Sequence, residues 1–198
     1  MNHIESFEKL NNRYFGMRHG EAETNIRGLI IGDPVKGTTA FPLTDRGRNT
    51  VRESLRSLSP ASEYVIVSSD FLRAKETAEI AKEFLRADTL LLDERLRERF
   101  FGNYENGPDD HYDTIWQNDA KNPEHSFNGV EPANHVMERV TAVISDMENR
   151  YIDKSILIIS HGDPLQFLET AMQNIPITEH QKCPLMNLGE IKELRLAD

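Results

Sequence analysis

The sequence holds a single cysteine, Cys183. That excludes an internal disulfide framework and fits a reducing compartment. The thiol sits in Lys182-Cys183-Pro184-Leu185, which is no nucleophile motif, and reads as a packed or half-exposed small residue. Long apolar runs are missing too. The longest aliphatic stretch is Ile156 to Ile159, far short of the roughly 20 residues that span a bilayer. Positive charge is in deficit, with 23 Lys plus Arg against 33 Asp plus Glu and a net charge of −10. An acidic surface repels nucleic acid and anionic membranes, so neither is an expected partner. An anionic substrate would need a local cluster of arginines. The start of the chain carries Glu5 and Glu8 and lacks the basic and apolar regions of a signal peptide. A cytoplasmic protein is expected. There is no internal repeat or low-complexity tract. The length of 198 residues predicts one domain, 1–198.

Several segments read as strands: Arg13–Arg18, Tyr64–Ser68, the weaker Leu90–Leu92, and Ser155–Ser160. Continuous apolar runs of this length predict strands covered on both faces, as in a parallel sheet. Helical patterns lie between them. Thr44 is a plausible N-cap for a helix to about Leu58, and Asp70–Arg86 has apolar residues at helical spacing. In Asn134–Tyr151, Val136, Val140, Val143, Ile144, Met147 and Tyr151 form one stripe, and a last helix is expected over Asp163–Asn174. Strands alternating with helices predict an α/β fold, three-layered α/β/α around a mostly parallel sheet. The segment of about 102–134 is polar, with an aromatic pair at Tyr112 and Trp116, and reads as an insertion or lid.

Chemistry gathers at strand ends. One strand runs into Arg18-His19-Gly20-Glu21, another into Ser160-His161-Gly162-Asp163, and a third into Ser68-Ser69-Asp70 with Arg73 soon after. Ligands of open α/β sheets bind at the carboxyl ends of strands, so these ends can share one pocket. It would hold two histidines and two arginines. Imidazole is a competent nucleophile near neutral pH, arginine grips phosphate oxygens in a fork, and helix N-termini favour anions. The set suits phosphoryl transfer.

Arg18-His19-Gly20-Glu21-Ala22-Glu23-Thr24-Asn25 resembles the signature of the histidine phosphatase superfamily, which includes cofactor-dependent phosphoglycerate mutases. Further matches follow in the family's order: Leu43-Thr44-Asp45-Arg46-Gly47, Ser68-Ser69 through Arg73-Ala74 to Thr77-Ala78, Leu96-Arg97-Glu98 to Gly102, and Ser160-His161-Gly162. The resemblance spans roughly Tyr14 to Gly162. It implies the phosphoglycerate mutase-like fold and a set of roles. His19 becomes phosphohistidine. Arg18, Arg73 and His161 bind the phosphoryl oxygens, with Asn25 and Gly162 as further contacts. Glu98 is the general acid, then the base. No cofactor and no metal is implied, because arginines neutralise the phosphate, and the substrate is a small phosphorylated molecule.

The residues also admit other readings. Arg73 could pair with Glu76 or Glu79 on its own helix. Glu98 lies in the charge run Asp93–Arg99, where Glu94 is a rival acid. His3, His111, His125, His135 and His180 match no motif and are expected at the surface. His19, Glu21, His161 and Asp163 could instead bind a metal. Departures from the family are Glu105-Asn106 for the common Glu-Gly, Val130-Glu131-Pro132 for Gly-Glu-Ser, and Ile31-Gly32 for the mutases' Thr-Gly. Glu131 could still serve as a polar site residue. Lys121 is the one Lys or Arg between Gly102 and Asn134, where the mutases carry a basic pair. A phosphatase is therefore expected ahead of a mutase-type phosphotransferase or a non-catalytic phospho-ligand-binding module. Leu29, Ile30, Ile31, Phe100, Phe101 and Trp116 could favour an apolar leaving group or could be core.

Overall fold

The computed structural model describes residues 1–58 and 64–197. Residues 59–63 and 198, which belong to the expected 1–198 domain, lie outside the described residues. In chain order the elements are β1 (Arg13–Arg18), α1 (Glu23–Ile26), α2 (Pro34–Gly37), α3 (Asp45–Leu55), β2 (Tyr64–Ser68), α4 (Leu72–Leu85) and β3 (Thr89–Leu92). They continue with α5 (Tyr112–Lys121), α6 (Ala133–Arg150), β4 (Ser155–Ser160), α7 (Gly162–Met172) and β5 (Ile191–Leu194).

The strands form one sheet in the order β3-β2-β4-β1-β5. The first four run parallel and β5 is antiparallel to β1. The central strand β4 is buried at every residue, which explains its unbroken Ile-Leu-Ile-Ile run: neither face meets water. Ile156 and Ile158 pack with α6 and α7, while Leu157 and Ile159 pack with α3 and α4. Each such side chain contributes about 1.5–3 kcal/mol through burial. Helices therefore cover both faces, and the architecture is the expected three-layer α/β/α.

Local chemistry sets the helix boundaries. Thr44 caps α3, its Oγ1 accepting the Gly47 N–H at 2.9 Å. α4 starts two residues later than the pattern predicts, because Asp70 is held outside it by Arg97 at 2.6–2.8 Å. Four elements have no counterpart in the sequence reading: the one-turn helices α1 and α2, and β5 and α5. β5 is four residues long with Lys192 and Glu193 at its centre, too short for a clear alternation. The 102–134 segment contains α5 and a small core of its own, with Ile30, Phe101, Ile115 and Val130 fully packed. Ile30 and Phe101 are thus core, whereas Phe100 is 41% exposed.

Candidate active site

Three strand ends meet at the carboxyl edge of the sheet. β1 delivers Arg18 and His19, β2 delivers Ser69, and β4 delivers His161. The His19 N–H donates to the Ser160 carbonyl at 3.0 Å and the Ser69 N–H to the Ile159 carbonyl at 2.9 Å, so the three ends are laced together. The chain then turns away into α4 and α7, which bring Arg73 and Gly162.

His19 is buried, and its Nδ1 lies 2.8 Å from the Gly20 carbonyl oxygen. A carbonyl only accepts, so Nδ1 carries the hydrogen and Nε2 keeps a lone pair. The Nε–H of Arg73 donates to that Nε2 at 3.1 Å. Burial holds the His19 pKa well below its ordinary value, with Arg73 and Arg18 adding to the effect. The imidazole is therefore neutral. The His161 ring stands 5.1 Å from that of His19 and is neutral for the same main reason.

Both arginines are anchored by backbone and keep donors in reserve. Arg18 donates Nη1–H to the Met186 carbonyl at 2.8 Å, and Arg73 donates Nη2–H to the Ile31 carbonyl at 3.0 Å. Arg18 Nε, Arg73 Nη1 and His161 Nδ1 are buried without a protein partner. Such orphaned polar atoms are costly unless a ligand takes them. The alternative pairing of Arg73 does not occur, since Glu76 binds Arg48 at 3.0 Å and the Leu43 N–H at 2.7 Å. Burial lowers the Arg73 pKa to about 10, which leaves it charged at neutral pH. Asn25 spends its Oδ1 on the Ala22 N–H at 2.9 Å and closes α1; its NH₂ is the part chemically suited to an anion.

Glu98 is 9% exposed, and its two oxygens accept the Arg99 N–H at 2.9 Å and the Gly162 N–H at 3.2 Å. Burial raises its pKa to about 7, with the nearby Asp163 charge adding to it. Glu94, the rival acid, is 73% exposed and pairs with Arg97 at 3.2 Å. Gly162 contributes through its N–H rather than through a need for glycine, because a Cβ there would meet only ordinary contacts from 3.5 Å outward. Gly20 differs: a Cβ would lie 2.8–2.9 Å from Val51 and the Gly47 carbonyl, where the loop crosses α3.

The charge run Asp93–Arg99 is not a solvated face. Arg95 binds Asp93 and Asp146, and Arg97 binds Asp70 and Glu94. Arg99 is fully buried and grips Asp119 of α5 in a fork at 2.7 and 2.8 Å. It also reaches Asp163 at 3.3 Å, while the Trp116 Nε1–H donates to the other Asp163 oxygen at 3.2 Å. Two histidines expected at the surface belong to this cluster. His125 lies 2.9 Å from Asp119, and the fully buried His180 lies 2.9 Å from Gln166 through its Nδ1. That expectation is corrected: a partner brought from another element buries a histidine that no local motif marks.

Glu21 and Asp163, the other half of the metal reading, point to other partners. Glu21 accepts from Thr44 at 2.8 Å and pairs with Arg46, and Asp163 faces Arg99 and Trp116. Glu131 is also engaged away from the pocket, held by Arg139 at 2.9 and 3.0 Å. Arg139 in turn donates to the carbonyls of Arg95, Arg97 and Glu98, clamping the loop that carries Glu98. Glu105 ties together the loops flanking the pocket by accepting the N–H groups of Gly32, Asp33 and Phe101. Asn106, which stands where the family has glycine, sits at φ +65°, a region that asparagine tolerates better than most residues. Tyr112 of α5 stacks on Trp116 at 5.4 Å and feels the charges of Glu98, Asp163, Arg18 and Arg73. Sequence reasoning assigned no site role to Tyr112, Arg99 or Arg139. In the sequence Tyr112 is an aromatic in a polar stretch and Arg99 an arginine beside Glu98.

A mostly parallel sheet with two histidines and two arginines at its carboxyl edge defines a known class. The chain belongs to the histidine phosphatase superfamily (branch 1), whose profile matches residues 15–198. It is 27% identical over 154 residues to the uncharacterized phosphatase PhoE of Bacillus subtilis, covering 78% of this chain and 74% of the relative. It is 27% identical over 175 residues to the adenosylcobalamin/alpha-ribazole phosphatase of Escherichia coli, covering 83% and 80%. Among solved structures, Bacillus stearothermophilus YhfR superposes with a TM-score of 0.74 at 26% identity, covering 91% of this chain and 89% of that one.

Proposed function

We propose that the protein is a metal-independent phosphatase that hydrolyses a small phosphomonoester through a phosphohistidine on His19. The observation that carries this reading is the state of the His19 ring. Its Nδ1 hydrogen is held by Gly20, and its Nε2 lone pair is buried against the Arg73 donor. In the first step Nε2 attacks phosphorus, and the P–O bond to the leaving group breaks as the P–N bond forms. Glu98 gives its proton to the departing oxygen. The Glu98 carboxylate then takes a proton from water, whose oxygen attacks phosphorus. The P–N electrons return to Nε2, and inorganic phosphate leaves. Arg18, Arg73 and His161 hold the phosphoryl oxygens with the donors that lack protein partners, the Asn25 amide completes the set, and the Gly162 N–H holds the Glu98 carboxyl beside it. Arginines fixed in place beforehand stabilise charge without rearranging during the reaction.

Two features favour hydrolysis over a mutase reaction. Ile31 offers no hydroxyl where the resemblance to the mutases implies threonine, and Lys121 is exposed at the end of α5. A second anionic group on the substrate would lack the counter-charges those segments supply in the mutases. The test is hydrolysis of p-nitrophenyl phosphate by wild type and His19→Ala with a chelator present. Activity that survives the chelator and vanishes in the variant supports the proposal. Efficient turnover of a sugar-acid phosphate with a bisphosphate primer would favour the mutase instead. Phosphate binding without a trappable phosphohistidine would favour a binding module.

A further inference from the structure

Ser69 is fully buried at the end of β2, between the two histidine loops. Its Oγ accepts the Phe71 N–H at 3.2 Å and lies 2.9 Å from Nε2 of His161. A hydroxyl has one hydrogen to give. Among the described residues, His161 Nε2 is the acceptor in hydrogen-bond contact with it. At the far side of the same ring, Nδ1 is buried without a protein partner. We propose that Ser69 fixes the tautomer of His161, its hydroxyl donating to Nε2 so that the ring carries its hydrogen on Nδ1 and offers it to a phosphoryl oxygen.

The opposite tautomer is disfavoured twice. Nε2–H would donate to Ser69 and leave the hydroxyl hydrogen buried without an acceptor. A lone pair on Nδ1 would then face the anion that Arg18 and Arg73 attract. The ring is also packed in place, 5.1 Å from the His19 ring and 5.2 Å from the Phe71 ring. Burial, with Arg73 next, keeps it neutral, so it has one hydrogen to place. Ser69 is thus a positioning residue acting through His161. The proposal rests on the reading above that the phosphoryl group lies against His161.

Long-range ¹H–¹⁵N spectra of the imidazoles test it, with the His161 signals identified by their loss in His161→Gln. Wild type should show the Nδ1–H form, and saturating inorganic phosphate should shift that hydrogen downfield. In Ser69→Ala the Nε2–H form should grow, and kcat on p-nitrophenyl phosphate should fall at least tenfold. Ser69→Thr, which keeps the hydroxyl, should restore both. An Nε2–H form in wild type, or an unchanged tautomer in Ser69→Ala, overturns the proposal. Should Ser69→Ala fail to fold, the wild-type tautomer decides. The spectrum needs no turnover, so a wild type without phosphatase activity would count against the catalytic reading while the tautomer is still read.

Discussion

The Nε–H of Arg73 points at Nε2 of His19 across 3.1 Å, with both side chains buried. The same nitrogen that is proposed to attack phosphorus is therefore already aligned with a group proposed to hold the phosphoryl oxygens. Arg73 is anchored through Nη2 by the Ile31 carbonyl, and in the proposed reaction its Nε–H passes from Nε2 to a phosphoryl oxygen as the lone pair is freed to attack. Arg73→Lys keeps the charge but loses the fork and the anchor. We expect kcat/KM on p-nitrophenyl phosphate to fall about 10²-fold or more, the scale of losing one preorganised donor. A loss below threefold would remove Arg73 from the phosphoryl site.

The two glutamates of the charge run, Glu94 and Glu98, separate cleanly. Glu98→Gln should slow turnover of an alkyl phosphate by about 10²–10⁴, the usual worth of general acid–base help. Glu94→Gln should leave it near wild type, since Glu94 is exposed and paired with Arg97. Steady-state rates on glycerol phosphate check both. Equal losses in the two variants would contradict the assignment.

The pH profile of the proposed reaction follows from the same geometry. His19 must be neutral, and its pKa lies well below the ordinary histidine value because of burial and the two arginines. Glu98 must be protonated, and its pKa is about 7. The rate on an alkyl phosphate should thus be flat under mildly acidic conditions and fall as pH rises through about 7. Asp163 helps to raise the Glu98 pKa, so Asp163→Asn should move the falling limb to lower pH. An alkyl ester is the right probe, because p-nitrophenolate leaves with little need of a proton. A limb that stays put in Asp163→Asn would show that burial alone sets the Glu98 pKa.

Asp119→Ala removes the bidentate partner of a fully buried guanidinium and leaves it one longer carboxylate contact, to Asp163 at 3.3 Å. Breaking a buried pair by deleting one member costs about 3–5 kcal/mol, because the remaining charge is stranded. Urea unfolding should show a loss of that order, with Trp116 fluorescence reporting the loosening of α5 from α7. A change under 1 kcal/mol would mean that Asp163 alone can satisfy Arg99.

Much of this molecule can be read from local pattern. β1, β2 and β4 match their expected bounds, because a strand covered on both faces needs an unbroken apolar run. The pocket was legible because its parts sit at strand ends, where short motifs such as Arg18-His19-Gly20 lie beside the elements that aim them. The long-range polar network was not. Arg99 is 20 residues from Asp119 and 64 from Asp163, and nothing in its own neighbourhood distinguishes it from Arg97, which meets solvent. Tertiary packing alone decided which charges of the run 93–99 were buried, which glutamate faced the pocket, and that His180 lay inside. A charge can leave water only where the fold brings it a partner, and that partner comes from another part of the chain.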